Sequence, residues 1–408
     1  MSGATEEPTP SADVPARSGD HAQPIISGIP PMAQAIPPVP PLPSTPVEAD
    51  DASQNEFLEQ AYATAPASPA EPPQYRRSSF AAQLDDAPAV GADLPSRRQQ
   101  REQQERKSFL QTERPEEPAS EGARGALNRM GFKLAPNAAE QSARNDELAV
   151  SQHWPGPRTI AVVNGKGGAG KTPTTILLSA VFARYGGAGV LAWDNNQTRG
   201  TLGWRTEAGA HDRTLLEMIP EAERLLGTGA QSADLAHFVH HQPREKYDVL
   251  RSKPIRLAHE NRLRPEDVDA IHAVAAKFYR LIIIDSGNDE SDPMWLRMID
   301  RADQIVVATT TRADHAEAGA LLLEALEDRD DRSAQLARQS VVVVSQADPK
   351  ASAADIEHVV GGYRSLAREV VSIPFDHEMV DGHLRYGALA KRTQRAWLSA
   401  AASVARGL

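Results

Sequence analysis

The sequence contains no cysteine. That excludes a disulfide scaffold, a thiolate metal site and a cysteine-ligated iron–sulfur cluster. Aromatic residues are scarce at 5%, and the five tryptophans all lie after residue 150. No apolar run reaches the ~18 residues of a membrane-crossing helix. The first stretch, Met1 to Asp20, lacks the basic start and apolar stretch of a secretory signal. Together these absences predict a soluble, cytoplasmic protein with no transmembrane segment.

Proline is abundant, but unevenly placed. Of 31 prolines, 21 precede residue 151, and so does most of the acidity. The first 150 residues hold 13 basic and 22 acidic side chains, a balance of −9, against 31 and 33, a balance of −2, in the remainder. A proline-rich stretch with few large apolar residues cannot bury enough surface to offset its ordering entropy. Residues 1–122 are therefore expected to be a disordered, proline-rich acidic tail. Its Pro37-Pro38-Val39-Pro40-Pro41-Leu42-Pro43 run favours the polyproline II conformation, as a stiff spacer or a protein docking segment. Arg97 to Lys107 reads as a solvated helix, and Arg76-Arg77-Ser78-Ser79 as a candidate phosphorylation site. Residues 123–154 read as a linker with a short helix, because Gly125 to Leu134 is more apolar than its surroundings.

From about residue 155 the pattern changes. Short apolar runs at Arg158–Asn164, Gly189–Asp194, Leu281–Asp285, Gln304–Thr309, Ser340–Ser345 and Val370–Ile373 alternate with helical periodicity, for example over Lys171–Tyr185 and Ala390–Arg406. A shorter strand is expected at Tyr247–Leu250, and helices at Pro265–Lys277, 314–326 and 354–369. Strands without polar alternation, separated by helices, specify an α/β fold: a mostly parallel sheet with both faces covered by helices. One such domain is expected over residues 155–408.

Between the first strand and its helix lies Gly165-Lys166-Gly167-Gly168-Ala169-Gly170-Lys171-Thr172, which fits G-x-x-x-x-G-K-[ST]. Gly165, Gly167, Gly168, Ala169 and Gly170 let backbone N–H groups wrap phosphates, and the helix start adds partial positive charge. Lys171 supplies a point charge to the β- and γ-phosphates. The Thr172 hydroxyl is suited to Mg²⁺. The ligands implied are ATP and Mg²⁺, in the frame of a P-loop NTPase.

The second lysine, Lys166, is not needed by an ordinary P-loop. With it, the string 166–172 resembles the deviant-Walker signature of ParA/MinD-like ATPases, and the resemblance covers about residues 155–408. It implies that Lys166 reaches a partner's ATP across a homodimer. It also implies that Asp194 lies in switch I, and that Asp285, ending Ile282-Ile283-Ile284-Asp285, holds Mg²⁺ through a water and positions a switch II at Ser286–Asp289. Gln346 and Pro374 fall where the family places its adenine pocket.

Two residues depart from the family pattern. Where the resemblance places the acid that orients the attacking water, this chain has Asn196, and an amide is a far poorer proton acceptor than a carboxylate. ATP hydrolysis is therefore expected to be slow, unless Asp194 takes over the role, and a nucleotide-binding scaffold that does not turn over is the alternative. Pro173 follows Thr172 and has no N–H to offer an α-phosphate, which predicts moderate nucleotide affinity.

The resemblance implies an ATP-timed switch with an activating protein partner, and leaves the surface it serves open. Arg385, Lys391, Arg392, Arg395 and Arg406 offer a basic patch for nonspecific DNA, as in partition and chromosome positioning. Trp397, Ala400, Ala401, Val404 and Leu408 share one helix face, suited to sheet packing or to a membrane interface. The proline-rich tail ahead of the ATPase domain is similar to the MinD-like regulatory proteins of actinobacterial type VII secretion. Nucleoid or membrane association and a non-hydrolysing scaffold all remain compatible with these residues.

Overall fold

The computed structural model describes residues 117–187, 189–196, 200–252, 263–380 and 382–408, all within a compact unit running from Arg106 to Leu408. The polyproline run, the 97–107 helix, the Ser78/Ser79 site and the expected disorder over residues 1–116 lie outside the described residues, whereas the tail's last residues, 117–122, are held by contacts with the helices that follow.

Two helices, α1 (Gly122–Arg129) and α2 (Ala138–Val150), precede the first strand. They are followed by β1 (Arg158–Val163), α3 (Lys171–Gly186) and β2 (Val190–Asn195). Three short helices, α4 (Leu215–Met218), α5 (Ala222–Leu226) and α6 (Ser232–Leu235), lead to β3 (His240–Gln242) and β4 (Tyr247–Leu250). Then come α7 (Pro265–Phe278), β5 (Leu281–Ser286), α8 (Pro293–Arg301), β6 (Gln304–Thr310), α9 (Ala313–Arg329), α10 (Asp331–Arg338), β7 (Val341–Ser345), α11 (Ala353–Tyr363), β8 (Glu369–Ile373) and α12 (Lys391–Ala405).

The eight strands form one sheet in the order β3-β4-β2-β5-β1-β6-β7-β8. All neighbours are parallel except β3, which pairs antiparallel with β4. The central strands bury alternate side chains on opposite faces, which is why they read as continuous apolar runs. On one face Ala161, Leu191, Ile282, Ile284 and Val307 pack with Val268 and Ile271 of α7, Met298 and Ile299 of α8 and Leu322 of α9. On the other, Ile160, Ala192, Ile283 and Val343 pack with Leu177 and Val181 of α3 and with Trp397, Ala401 and Val404 of α12. Trp397, Ala400, Ala401 and Val404 have no exposed surface. That face of the last helix therefore belongs to the core.

The segment expected as a linker holds two helices, and α2 is docked on α12. Asp146 of α2, 4% exposed, accepts from Arg395 (2.8 Å) and Arg406 (2.5 Å). Val150 is fully buried in the α3/α12 core. Glu140 and Arg144 hold the chain ahead of α1: Glu140 accepts from Ser120, and Arg144 donates to the carbonyls of Glu117 and Pro118. Helix α11 stops at Tyr363, short of the expected 369. Gly361-Gly362 weakens its last turn, since glycine costs ~1 kcal/mol in a helix.

Candidate functional site: a phosphate loop at the sheet's carboxyl edge

The loop 165–170 runs from the end of β1 to the start of α3, at the carboxyl edge where open parallel sheets bind ligands. Asn164 fixes its base. Its amide donates to the carbonyls of Ala308 (2.8 Å) and His315 (3.0 Å) and accepts from the Lys166 N–H (2.9 Å). His315, at the start of α9, bonds Thr310 at 2.8 Å and lies beneath Gly168. Gly168 and Gly170 have φ of +81° and +96°, a region side chains rarely tolerate. Pro173 sits in the first turn of α3, where its missing N–H costs no helical bond.

Lys171 is buried at the loop's end. Its ammonium donates to the carbonyls of Asn164 (2.8 Å) and Lys166 (3.1 Å) and to the Asn288 side chain (2.5 Å). Burial pulls its pKa down, opposed by the charges of Asp285 and Glu290. Lys166 is exposed on the loop.

Thr172 donates to Asp285 Oδ2 at 2.6 Å and bonds the Thr201 hydroxyl at 2.9 Å. Asp285, one residue before the end of β5, pairs with Asp194 on β2, so two buried carboxylates are neighbours. Burial pushes both pKa values up. For Asp194 the charge of Asp285 adds to this, and for Asp285 the Thr172 hydroxyl and Lys171 oppose it. Asp285 Oδ1 is buried with no hydrogen-bond partner among the described residues. A hydroxyl, paired carboxylates and an orphaned oxygen fit a hard divalent cation, which takes oxygen ligands and removes the cost of two adjacent negative charges.

A cavity of about 700 Å³ opens over these groups. Gly167, Gly168, Gly170, Lys171, Thr172, Asn196, Asp285 and Asn288 line one end. Trp204, Phe375, Met379 and Val380 give the other end an apolar wall. Gln346 lines the cavity, but its amide is engaged: it donates to the Ala351 carbonyl (2.9 Å) and accepts from the Phe375 N–H (3.2 Å). Pro374 is not among the lining residues, while its neighbour Phe375 is. Asn196 faces the cavity, and its N–H donates to Asp194 Oδ1 at 3.1 Å.

Sequence reading missed Asn164, Thr201, Trp204 and Glu290. Asn164 and Glu290 sit next to the motifs already named, so adjacency was their only signal. Trp204 ends a single 3₁₀ turn, Leu202–Trp204, too short to leave a periodic signal in the sequence.

The expected basic patch is divided. Arg395 and Arg406 are paired with Asp146, and Arg392 donates to the Phe375 carbonyl. Among the described residues, no helix is long and apolar enough to cross a membrane.

The doubly covered parallel sheet, the glycine loop opening α3 and the Thr172–Asp285 pair define a P-loop nucleotide-binding domain. The profile of the AAA domain family AAA_31 matches residues 157–335. The match covers somewhat less than half of the chain, and it spans the glycine loop, Asp194 and Asp285. The chain is 24% identical over 265 residues to the ESX-1 secretion-associated protein EspI of Mycobacterium tuberculosis H37Rv, a match covering 63% of this chain and 37% of that protein. The chain therefore spans well under half the length of the curated relative it matches. Among solved structures it is similar to a ParA family ATPase from Chlorobium tepidum TLS, with 20% identity, 60% of this chain and 98% of the other covered, and a TM-score of 0.48. It is also similar to the cell division ATPase MinD of Pyrococcus furiosus, with 20% identity, 61% and 98% coverage, and a TM-score of 0.45.

Proposed function

We propose that residues 155–408 form the ATPase domain, which binds Mg·ATP and hydrolyses it slowly, and that ATP drives formation of a homodimer. The observation that carries this reading is the joint placement of Lys171, Thr172 and Asp285 at one end of a nucleotide-sized cavity. In it, loop amides and Lys171 take the phosphates, Thr172 and Asp285 face the cation, and Asp194 stands behind them. Lys166, exposed on the loop, is free to meet a partner's nucleotide. Asn196 in the cavity wall is the reason for slow turnover. Light scattering of the full chain should show a dimer in ATP and a monomer in ADP, with Lys166→Ala weakening the dimer. A monomer under every nucleotide condition would refute the switch.

Of the surfaces the switch could serve, a protein assembly of the type VII secretion kind is favoured. The likeness to EspI supports it, and so does the pairing of Arg395 and Arg406 with Asp146, which removes two charges from the DNA patch. Fluorescence anisotropy with nonspecific duplex DNA checks this. Binding with ATP and not with ADP would return the role to DNA positioning.

A further inference from the structure

The phosphate end of the cavity needs a proton acceptor that Asn196 does not provide, because a side-chain amide has no basic lone pair at neutral pH. The carboxylates nearby are mostly committed elsewhere. Asp285 accepts from Thr172, and Asp194 accepts from the Asn196 N–H, both deep at the strand ends. Asp289 is turned to the N–H and hydroxyl of Ser291. Asp376 accepts from the N–H groups of Glu378 and Ala390, at the opposite end of the cavity.

Glu290 differs from these. The segment after β5 folds back over the phosphate loop: Asn288 accepts from Lys171 and its amide nitrogen lies against Gly167. Two residues on, the Glu290 carboxylate rests on Gly165. A Cβ built there would stand 2.4 Å from Glu290 Oε1, so the carboxylate lies directly against the bare α-carbon of the loop's first glycine. Among the described residues no hydrogen-bond donor holds this carboxylate. The charges that act on it are Lys171, which attracts it, and Asp289, which repels it. It is half-buried, and burial raises its pKa, which makes it a better base than an exposed carboxylate. It therefore stands at the loop's first glycine, within the field of the lysine that must meet the phosphates.

We propose that Glu290 accepts the proton of the water that attacks the γ-phosphate. The water oxygen bonds to the γ-phosphorus, and the bond from that phosphorus to the bridging oxygen breaks. The electron pair leaves with the β-phosphate of ADP. The water proton passes to the Glu290 carboxylate and then to solvent, leaving ADP and inorganic phosphate. The inference rests on the ATPase reading above.

The test uses the full chain, with Lys171→Ala as the blank, and measures ATP affinity by calorimetry and turnover under single-turnover conditions with Mg²⁺. Glu290→Gln keeps the shape and loses the base. Turnover should fall by ~10²–10⁴-fold, the range for general acid–base groups, while the dissociation constant changes less than about threefold. Adding Asn196→Asp to Glu290→Gln should restore turnover, because a carboxylate then returns to the same water. A Glu290→Gln protein with wild-type turnover overturns the proposal. So does one that loses affinity and turnover in step, since Glu290 would then be only a counter-charge for Lys171. A wild-type chain no faster than the Lys171→Ala blank fails the ATPase reading itself, before any Glu290 variant is made.

Discussion

Removing the Asp146 side chain tests whether α2 is part of the ATPase fold. Asp146 is 4% exposed and takes one hydrogen bond from each of Arg395 and Arg406. A hydrogen bond to a charged group contributes ~1.5–3 kcal/mol when shielded. Here both guanidiniums are about a third or more exposed, at 34% and 42%, so solvent screening brings each contact nearer to ~1 kcal/mol. Asp146→Ala should therefore destabilise the unit by ~2 kcal/mol, a melting shift of ~4–8 °C at the ~2–4 °C per kcal/mol typical of domains of roughly this size. The control is Arg395→Ala/Arg406→Ala. If the three groups act as one clamp, adding Asp146→Ala to that pair should cost far less than it does alone. Urea denaturation, with hydrogen exchange over residues 138–150, reads both the global and the local effect. A change below ~0.5 kcal/mol with unchanged protection of α2, or full additivity of the variants, would refute the clamp.

Two other predictions use the cavity. Burial pushes the Asp194 carboxyl up to about 7, far above its ordinary value, so the folded nucleotide-free protein binds this proton more tightly than the unfolded chain does. Stability should then fall as pH rises from ~4 toward 7, and Asp194→Asn should raise the urea midpoint at pH 8 while changing nothing near pH 4. Equal pH dependence in both proteins would sink the idea. Trp204 is 62% exposed at the apolar end of the cavity. If the base stacks there, Trp204→Ala should cost ~1–3 kcal/mol of ATP affinity and abolish the fluorescence change on binding, with tripolyphosphate affinity unchanged; unaltered ATP affinity would place the base elsewhere.

The legible part of this molecule was what local pattern controls. Strands β1, β2, β5, β6 and β7 are apolar runs that cannot sit in water, and the glycine loop must follow one of them. Helix α8 was also written in the chain, since Asp292 caps it and Pro293 opens it, yet its nine residues fell between two stronger signals. β3 was hidden for a physical reason: His240-His241-Gln242 has no apolar alternation and exists only because β4 offers an edge. The site divides the same way. Backbone demands announced Gly168, Gly170 and Lys171. The roles of Gln346 and Glu290 depend on what other segments place beside them, such as the Ala351 carbonyl or the bare α-carbon of Gly165.

Asp376 belongs to two structures at once. It lines the cavity beside Phe375, and its carboxylate accepts from the N–H of Ala390, the residue that opens α12. Helix α12 in turn carries Arg395, and Arg406 caps its end; these two arginines grip α2. The nucleotide wall, the last helix and the first helices of the described chain are thus joined in series, like links of a short drive train. The Asp376 carboxylate is the point at which the cavity wall and the start of α12 share one hydrogen-bonded anchor.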